Sequence, residues 1–174
     1  MTTMKIQLEV VTEETKHILR NMFTVYFSEL SAWDKFVDFN EHGLPVWTAF
    51  DMPQPRTHEE CVDYNWWIRD SCVLLLITAD SRPAGFVIIN TGPGDLPPGI
   101  DFDLLDFFIA HKYRRQGVGR EAARQSFERH RGRWEVAQLT GNIAAITFWN
   151  RVVGDYTGGH YLRLDNGARQ QFEN

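Results

Sequence analysis

Only two cysteines, Cys61 and Cys72, occur in 174 residues, and their spacing matches neither a zinc site nor a disulfide framework. Both are read as reduced thiols, and no metal is expected. The sequence contains no long apolar run. Its most apolar stretch, Val73 to Ile77, cannot span a bilayer, and the opening MTTMKIQLEV has no apolar core behind a basic start. The expectation is a cytoplasmic chain without a membrane partner. There is no Gly-Lys-Ser/Thr for a triphosphate loop, and no Gly-x-Gly-x-x-Gly with a downstream acidic residue for a dinucleotide fold. No Ser-His-Asp or Cys-His arrangement offers a covalent nucleophile. Positive charge is also scarce: the net charge is −5, which argues against a nucleic-acid partner held by phosphate contacts.

What is present is an ordinary globular composition, 43% apolar and 24% charged, in a length suited to one domain, residues 1–174. Lys5 to Val11 reads as a strand, and Thr12 as the cap of a helix running to about Leu30 with Glu13 and Glu14 in its first turn. Ser31 to Arg56 loses all periodicity among Gly43, Pro45, Pro53 and Pro55 and reads as an irregular connection. A second helix is expected over His58 to Arg69. Cys72 to Thr78 and Gly85 to Asn90 form a hairpin about Ser81-Arg82-Pro83, and Leu104 to Ala110 is a central strand after a Gly/Pro-rich loop. A helix begins near Gly117, Trp134 to Leu139 is a strand, and a last helix begins at Asn142. Tyr161 to Leu164 and Gln170 to Phe172 close the sheet as a hairpin.

The charge is uneven. Lys112, Arg114, Arg115, Arg120, Arg124, Arg129, Arg131 and Arg133 crowd into one segment with Glu121 and Glu128, which suggests a small polyanionic ligand or a solvated helix face. At its head, Arg114-Arg-Gln-Gly117-Val-Gly119 lies where a strand passes through a short basic loop into a helix. Glycines allow close backbone approach, and the free N–H groups of a helix start favour an anion.

This Arg-x-x-Gly-x-Gly block resembles the signature of the GNAT N-acetyltransferase superfamily. Asn142-x-x-Ala145-x-x-Phe148-Trp149 resembles a second family block, and Pro83-Ala-Gly-Phe86 resembles its turn into a strand. The likeness covers about Cys72 to Gly154. It implies a mixed α/β (α+β) fold, with a mostly antiparallel central sheet of six to seven strands flanked by about four helices. It also implies N-acyl transfer from acetyl-coenzyme A to a primary amine by direct attack, the acceptor being a small-molecule amine or a protein amino group. An inactive acyl-coenzyme A binding or sensor module is the alternative, and a homodimer stays open. In the family pattern the backbone of Phe108, Ile109 and Ala110 would pair with the pantetheine arm. The N–H groups of Arg115, Gln116, Gly117, Val118, Gly119 and Arg120, beside Arg114, would hold the pyrophosphate.

Other residues carry two readings each. Asn142 is an N-cap that the resemblance also brings to the cofactor arm. Asp101, Asp103 and Asp106 lie on or just before the central strand; Asp106 shares a strand face with Phe108 by alternation and could accept a proton from the amine, or serve as a hydrogen-bonding strand residue, and Asp101 reads more as structural. Trp149 stands where many relatives carry a tyrosine that protonates the departing thiolate. An indole cannot take that role, so it would pack on the pantetheine, and Tyr156, read as lying beyond the helix after Gly154, is either the candidate acid ahead of Tyr161 or a half-buried strand residue, with water protonating the thiolate in their place. Trp33, Trp47, Trp66 and Trp67 suit an ammonium site or, for at least two of them, a core or interface.

Overall fold

The computed structural model describes residues 4–49, 54–58, 60 and 71–174, in two units: Met1–Val10 with Ser71–Asn174, and Val11–Asp70. The second unit opens with α1 (Lys16–Leu30), whose buried Leu19, Phe23 and Phe27 recur every four residues and make one apolar stripe. It starts a turn later than the sequence suggests. The Thr12 N–H donates to Thr15 Oγ1 while the Thr12 carbonyl accepts from Thr15 and Lys16, so residues 12–15 close on themselves and the helix follows. The expected irregular connection also holds a small hairpin, β2 (Val37–Phe39) with β3 (Pro45–Trp47). Its loop closes on Asn40, whose side-chain oxygen accepts from the His42 and Leu44 N–H groups. Three-residue strands are too short to show a period of two. The expected helix over 58–69, with Cys61, Trp66 and Trp67, lies almost wholly outside the described residues.

The first unit is a seven-stranded mixed sheet. Its strands are β1 (Ile6–Val10), β4 (Cys72–Ala79), β5 (Arg82–Asn90), β6 (Phe102–Ile109), β7 (Arg133–Ala137), β8 (Leu162–Leu164) and β9 (Arg169–Glu173), in the order β1-β4-β5-β6-β7-β9-β8. Every neighbouring pair is antiparallel except β6–β7. The β4–β5 turn is tighter than Ser81-Arg82-Pro83: it is Asp80-Ser81, with φ of 47° and 62°. Two residues in the left-handed region match the twist of a two-residue hairpin, and Pro83 is already in β5, opposite Thr78.

With α2 (Val118–Arg129) and α3 (Ile143–Thr157), the described residues hold three α-helices against the four expected. One sheet face, with Val87, Ile89, Leu104 and Ile109, shares a buried cluster with Val118, Ala122, Phe127, Trp149 and Val153. The other face carries Leu76, Phe86, Ile88, Asp106 and Phe108, also buried.

Two irregularities of β6 shape the site. Ile88 lies opposite Asp106 and Ile89 opposite Leu104, so Leu105 is an extra, bulged residue. Pairing with β7 covers only Phe102, Asp103 and Leu104. Beyond Leu104 the parallel strands part, and among the described residues no strand pairs with the edge of residues 105–109, roughly 16 Å long at strand rise.

Candidate functional site

The open edge has a defined set of backbone groups. The Ala110 N–H donates to the Ala84 carbonyl, which directs Ala110, and by strand alternation Phe108 and Asp106, toward β5. Phe107 and Ile109 therefore present their N–H and C=O groups to the edge that β7 has left. Of the three residues expected to pair with a ligand arm, Ile109 faces the open edge, while the backbone groups of Phe108 and the Ala110 N–H face β5 and the Ala110 carbonyl accepts from the Tyr113 N–H at 2.8 Å. Phe107 was not anticipated, because alternation is legible along the chain but not which side of the strand loses its neighbour. The Ile109 carbonyl accepts from Arg114 Nε at 2.6 Å, and the Arg114 guanidinium lies 5.7 Å from the Phe108 ring centroid. The first arginine of the motif thus folds back to fix the end of β6.

The chain leaves the edge through a 3-10 turn, His111–Tyr113. It then turns through Arg115, with φ of 60°, and enters α2 through Gly117 at φ 84°. The first bond back into the helix is from the Glu121 N–H to the Gly117 carbonyl at 3.0 Å. As at any helix start, the N–H groups ahead of it have no acceptor inside α2, and they lie at the positive end of its dipole. A Cβ on Gly117 would meet nothing within 4 Å, whereas one on Gly119 would lie 3.1 Å from Phe148 and 3.5 Å from Ile109. Of the two, only Gly117 borders open space. Gly119 permits the contact of α2 with α3 and β6, and the Val118 side chain belongs to the core.

The basic segment is dispersed. Arg124 is bound by Glu121 and Glu128, each at 2.6 Å, Arg120 pairs with Asp155 at 3.3 Å, and Arg133 with Glu173 at 3.5 Å. Lys112, Arg114 and Arg115 lie in or beside the turn before the helix start, and Arg129 and Arg131 lie at the far end of α2 and just beyond it.

Asn142 is the N-cap of α3, its side-chain oxygen accepting from the Ala145 N–H at 3.0 Å. Trp149 is 5% exposed and meets Phe107 edge-on at 4.9 Å, directly behind the open edge. Tyr156, expected beyond the helix, is inside it, because α3 runs through Gly154 to Thr157. Its ring packs on Phe127 and Phe172 at 5.1 and 5.9 Å, and its hydroxyl oxygen accepts from Asn174 Nδ2 at 3.0 Å. Two helical turns, about 10 Å, separate it from Trp149. Tyr156→Phe is therefore expected to cost about 1 kcal/mol of stability, one hydrogen bond, without changing turnover; a tenfold slower reaction at unchanged melting temperature would restore it as the acid. Tyr161 is bonded to Asn150, at 3.3 Å from both its carbonyl and its side-chain oxygen.

Asp106 is buried on the sheet face opposite α2 and α3. The structure adds a residue that alternation kept apart from it. The bulge at Leu105 breaks the period, so Asp103, opposite Asn90, shares a face with Asp106, opposite Ile88. Asp103 is also paired in register with Glu135 of β7. Burial, and secondly the Glu135 charge, push its carboxyl up from 3.8 to about 6, against a smaller pull from Arg169.

In the other unit Trp47 meets the Phe27 ring edge-on at 6.2 Å, while Trp33 is 43% exposed. Among the described residues, no cluster of His, Cys, Asp and Glu could hold a metal, and no helix is long and apolar enough to cross a membrane.

Solved structures with this fold span nearly the whole chain. An acetyltransferase from Thermus thermophilus aligns over 100% of this chain and 99% of its own, at 17% identity and a TM-score of 0.57. An aminoglycoside acetyltransferase in complex with coenzyme A aligns over 98% and 95%, at 13% identity and a TM-score of 0.59. The GNAT domain of a Streptomyces lividans protein, S. lividans PAT, aligns over 99% and 95%, at 16% identity and a TM-score of 0.53. No curated protein matches the sequence. The model of the acetyltransferase (GNAT) family matches residues 19–154. With the signature glycine at the left-handed entry to α2 and the open edge of β6 before it, the chain belongs to the GNAT acetyltransferase family.

Proposed function

We propose that the protein transfers an acetyl group from acetyl-coenzyme A to a primary amine, on a small molecule or a protein, by direct attack on the thioester. The observation that carries this reading is the continuity of the open β6 edge with the helix start at Gly117. An extended amide-containing arm can add to the edge as a strand, and its diphosphate then reaches the free N–H groups of α2. The residues fit such a ligand: Gly117 adjoins open space, and Lys112, Arg114 and Arg115 flank it. The coenzyme A bound to the aminoglycoside acetyltransferase supports the same donor. The family match draws on both units, which supports reading residues 1–174 as one acyltransferase domain.

In this reading an N–H of the open edge near Ile109, with Phe107 the one deeper along it, donates to the thioester oxygen as negative charge develops there. Trp149 and Phe107 exclude water from behind the reacting carbonyl. Asp106, directly or through water, takes a proton from the ammonium form of the acceptor. The amine nitrogen then bonds to the carbonyl carbon and gives up its second proton to solvent, the C–S bond breaks, and the thiolate leaves to be protonated by solvent. The α3 N-cap Asn142, by the family likeness of its block, contacts the arm as well in this reading.

Release of free thiol from acetyl-coenzyme A across a panel of amines tests the activity. Amine-dependent release is expected; a melting temperature raised by coenzyme A without release on any amine would favour the binding module. Asp106→Asn should slow transfer most at low pH, where free amine is scarce, with coenzyme A affinity unchanged. An equal loss at every pH with a lower melting temperature would assign Asp106 to structure instead.

A further inference from the structure

The first unit holds a cavity of about 470 Å³, within the size range of small-molecule sites. Its walls come from three segments: residues 98–100 ahead of β6, residues 160–162 between α3 and β8, and residues 171–173 of β9, with Arg133 of β7 beside them. These segments meet where β6 and β7 begin. Ile109, at the far end of β6, is roughly 20 Å away at strand rise, so the cavity is separate from the edge and helix start assigned to coenzyme A.

The walls are held by bonds that leave charged and apolar groups facing the space. The Asp101 N–H donates to the Arg133 carbonyl at 2.9 Å, and the Arg133 N–H donates to Asp101 Oδ2 at 2.8 Å, which ties the loop ahead of β6 to β7. Tyr161 is anchored through its hydroxyl on Asn150, Gln171 through Glu135 at 2.6 Å, and the Phe172 ring lies parallel to that of Trp134. Leu162 is 61% exposed on its edge strand. Arg133 Nε meets Glu173 Oε2 only at 3.5 Å, with side chains 62% and 70% exposed. So loose and wet a pair adds little to stability and is readily shared with a ligand. Arg133 Nη1 passes over Gly99, where a Cβ would stand 3.6 Å from it, so that residue puts no side chain over the guanidinium.

Register sets the spacing of these groups. Arg133 lies opposite Glu173, and Leu162 lies opposite Gln171, two residues back along β9 and on the same face. Diagonal neighbours on a sheet face are about 7–8 Å apart. A cation and an anion side by side, with an apolar side chain one step away, complement a zwitterion whose two charges flank a carbon that bears an apolar group. A simple anion would meet Glu173, and a simple cation would meet Arg133; a zwitterion satisfies both. We propose that this cavity is a reversible binding site for a free α-amino acid with an apolar side chain. Its carboxylate takes the Arg133 guanidinium, with His160 on the rim as a further donor, its ammonium takes Glu173, and its side chain lies against Leu162 and Pro98. The site stands on the first unit alone and does not rest on the transfer reading.

Nitrogen-15 NMR titration of the full chain with L-leucine and L-phenylalanine tests the site. The amides of residues 99, 100 and 160–162 should shift and saturate with a Kd of roughly 1 mM or tighter, within what about ten heavy atoms support. N-acetyl-leucine lacks the ammonium, leucinamide the carboxylate and glycine the side chain; each should bind at least about tenfold more weakly. Arg133→Gln and Glu173→Gln, at exposed positions, should melt with wild type yet lose at least about tenfold in leucine affinity. A free amino acid is also a primary amine, but binding only as an acceptor would survive both substitutions. Leucine affinity unchanged in the two variants therefore overturns the proposal. So does leucinamide or N-acetyl-leucine binding as tightly as leucine, or the absence of shifts at these amides up to about twentyfold above that Kd. Thiol release plays no part in these readouts, so failure of the transfer reading would leave them unchanged.

Discussion

Gly85→Ala is expected to be among the most damaging single-methyl changes in this protein. Gly85 lies opposite Ile109, where β5 supports the last residue of the open edge. A Cβ at that position would lie 2.0 Å from the Phe108 carbonyl oxygen, 3.0 Å from its carbon and 3.1 Å from Ile109 Cα. All three are backbone atoms, so no rotamer can relieve the contact, and the strands must move apart to accommodate it. Overpacking of flexible side chains costs about 1–3 kcal/mol; here the cost should exceed about 3 kcal/mol, a large part of the total stability of an ordinary domain. That corresponds to a fall in melting temperature of roughly 10 °C. Gly94, whose added Cβ would meet nothing within 4 Å, is the matched control. If Gly85→Ala melts with the parent, β5 and β6 do not approach as described.

Gly117→Val should leave the protein folded and remove its response to coenzyme A. The new Cβ meets no protein atom within 4 Å, and the strain of a β-branched residue at φ 84° costs about 1–3 kcal/mol. Ligand binding is another matter, because the side chain occupies the space where an anion would approach the N–H groups of the helix start. Hydrogen bonds to a charged group contribute about 1.5–3 kcal/mol each, so losing one or two should weaken coenzyme A binding roughly a hundredfold. Wild type should show a melting temperature that climbs with coenzyme A concentration, and the variant should not. Gly119→Val should instead lower stability without ligand, since its side chain would press on Phe148. An undiminished shift in a folded Gly117→Val protein would move the anion site elsewhere.

The order of the elements was legible along the chain because their signals are local. Val, Leu and Ile runs marked β4, β5 and β6, Asn142 marked the start of α3, and the spacing of Arg114, Gly117 and Gly119 marked a strand-to-helix junction. That spacing, read as a family likeness, also carried the proposed ligand. Signals shorter than a period failed: the three-residue strands β2 and β3 were missed, and the Asp80-Ser81 turn was displaced onto Ser81-Arg82-Pro83. A helix end was missed as well, since Gly154 looked like a stop while tertiary packing of Val153 and Tyr156 carries α3 on to Thr157.

The inner layout of the site was decided by partners far apart in sequence. Which edge of β6 is open depends on where β7 turns away, so residues 107 and 109 could be told from 108 and 110 only once the strands were assembled. The bulge at Leu105 is a mismatch between β5 and β6, and no residue of β6 announces it, yet it brings Asp103 onto the face of Asp106. The proton affinity of Asp103 is set by burial and by Glu135 on another strand, itself held by Arg169 and Gln171 further along the chain. Local chemistry along the chain determines that a strand, a basic loop and a glycine-led helix will form. Only the pairing of distant strands determines which of their polar groups remain for a substrate, because a backbone group or carboxylate is defined by the neighbour it has or lacks.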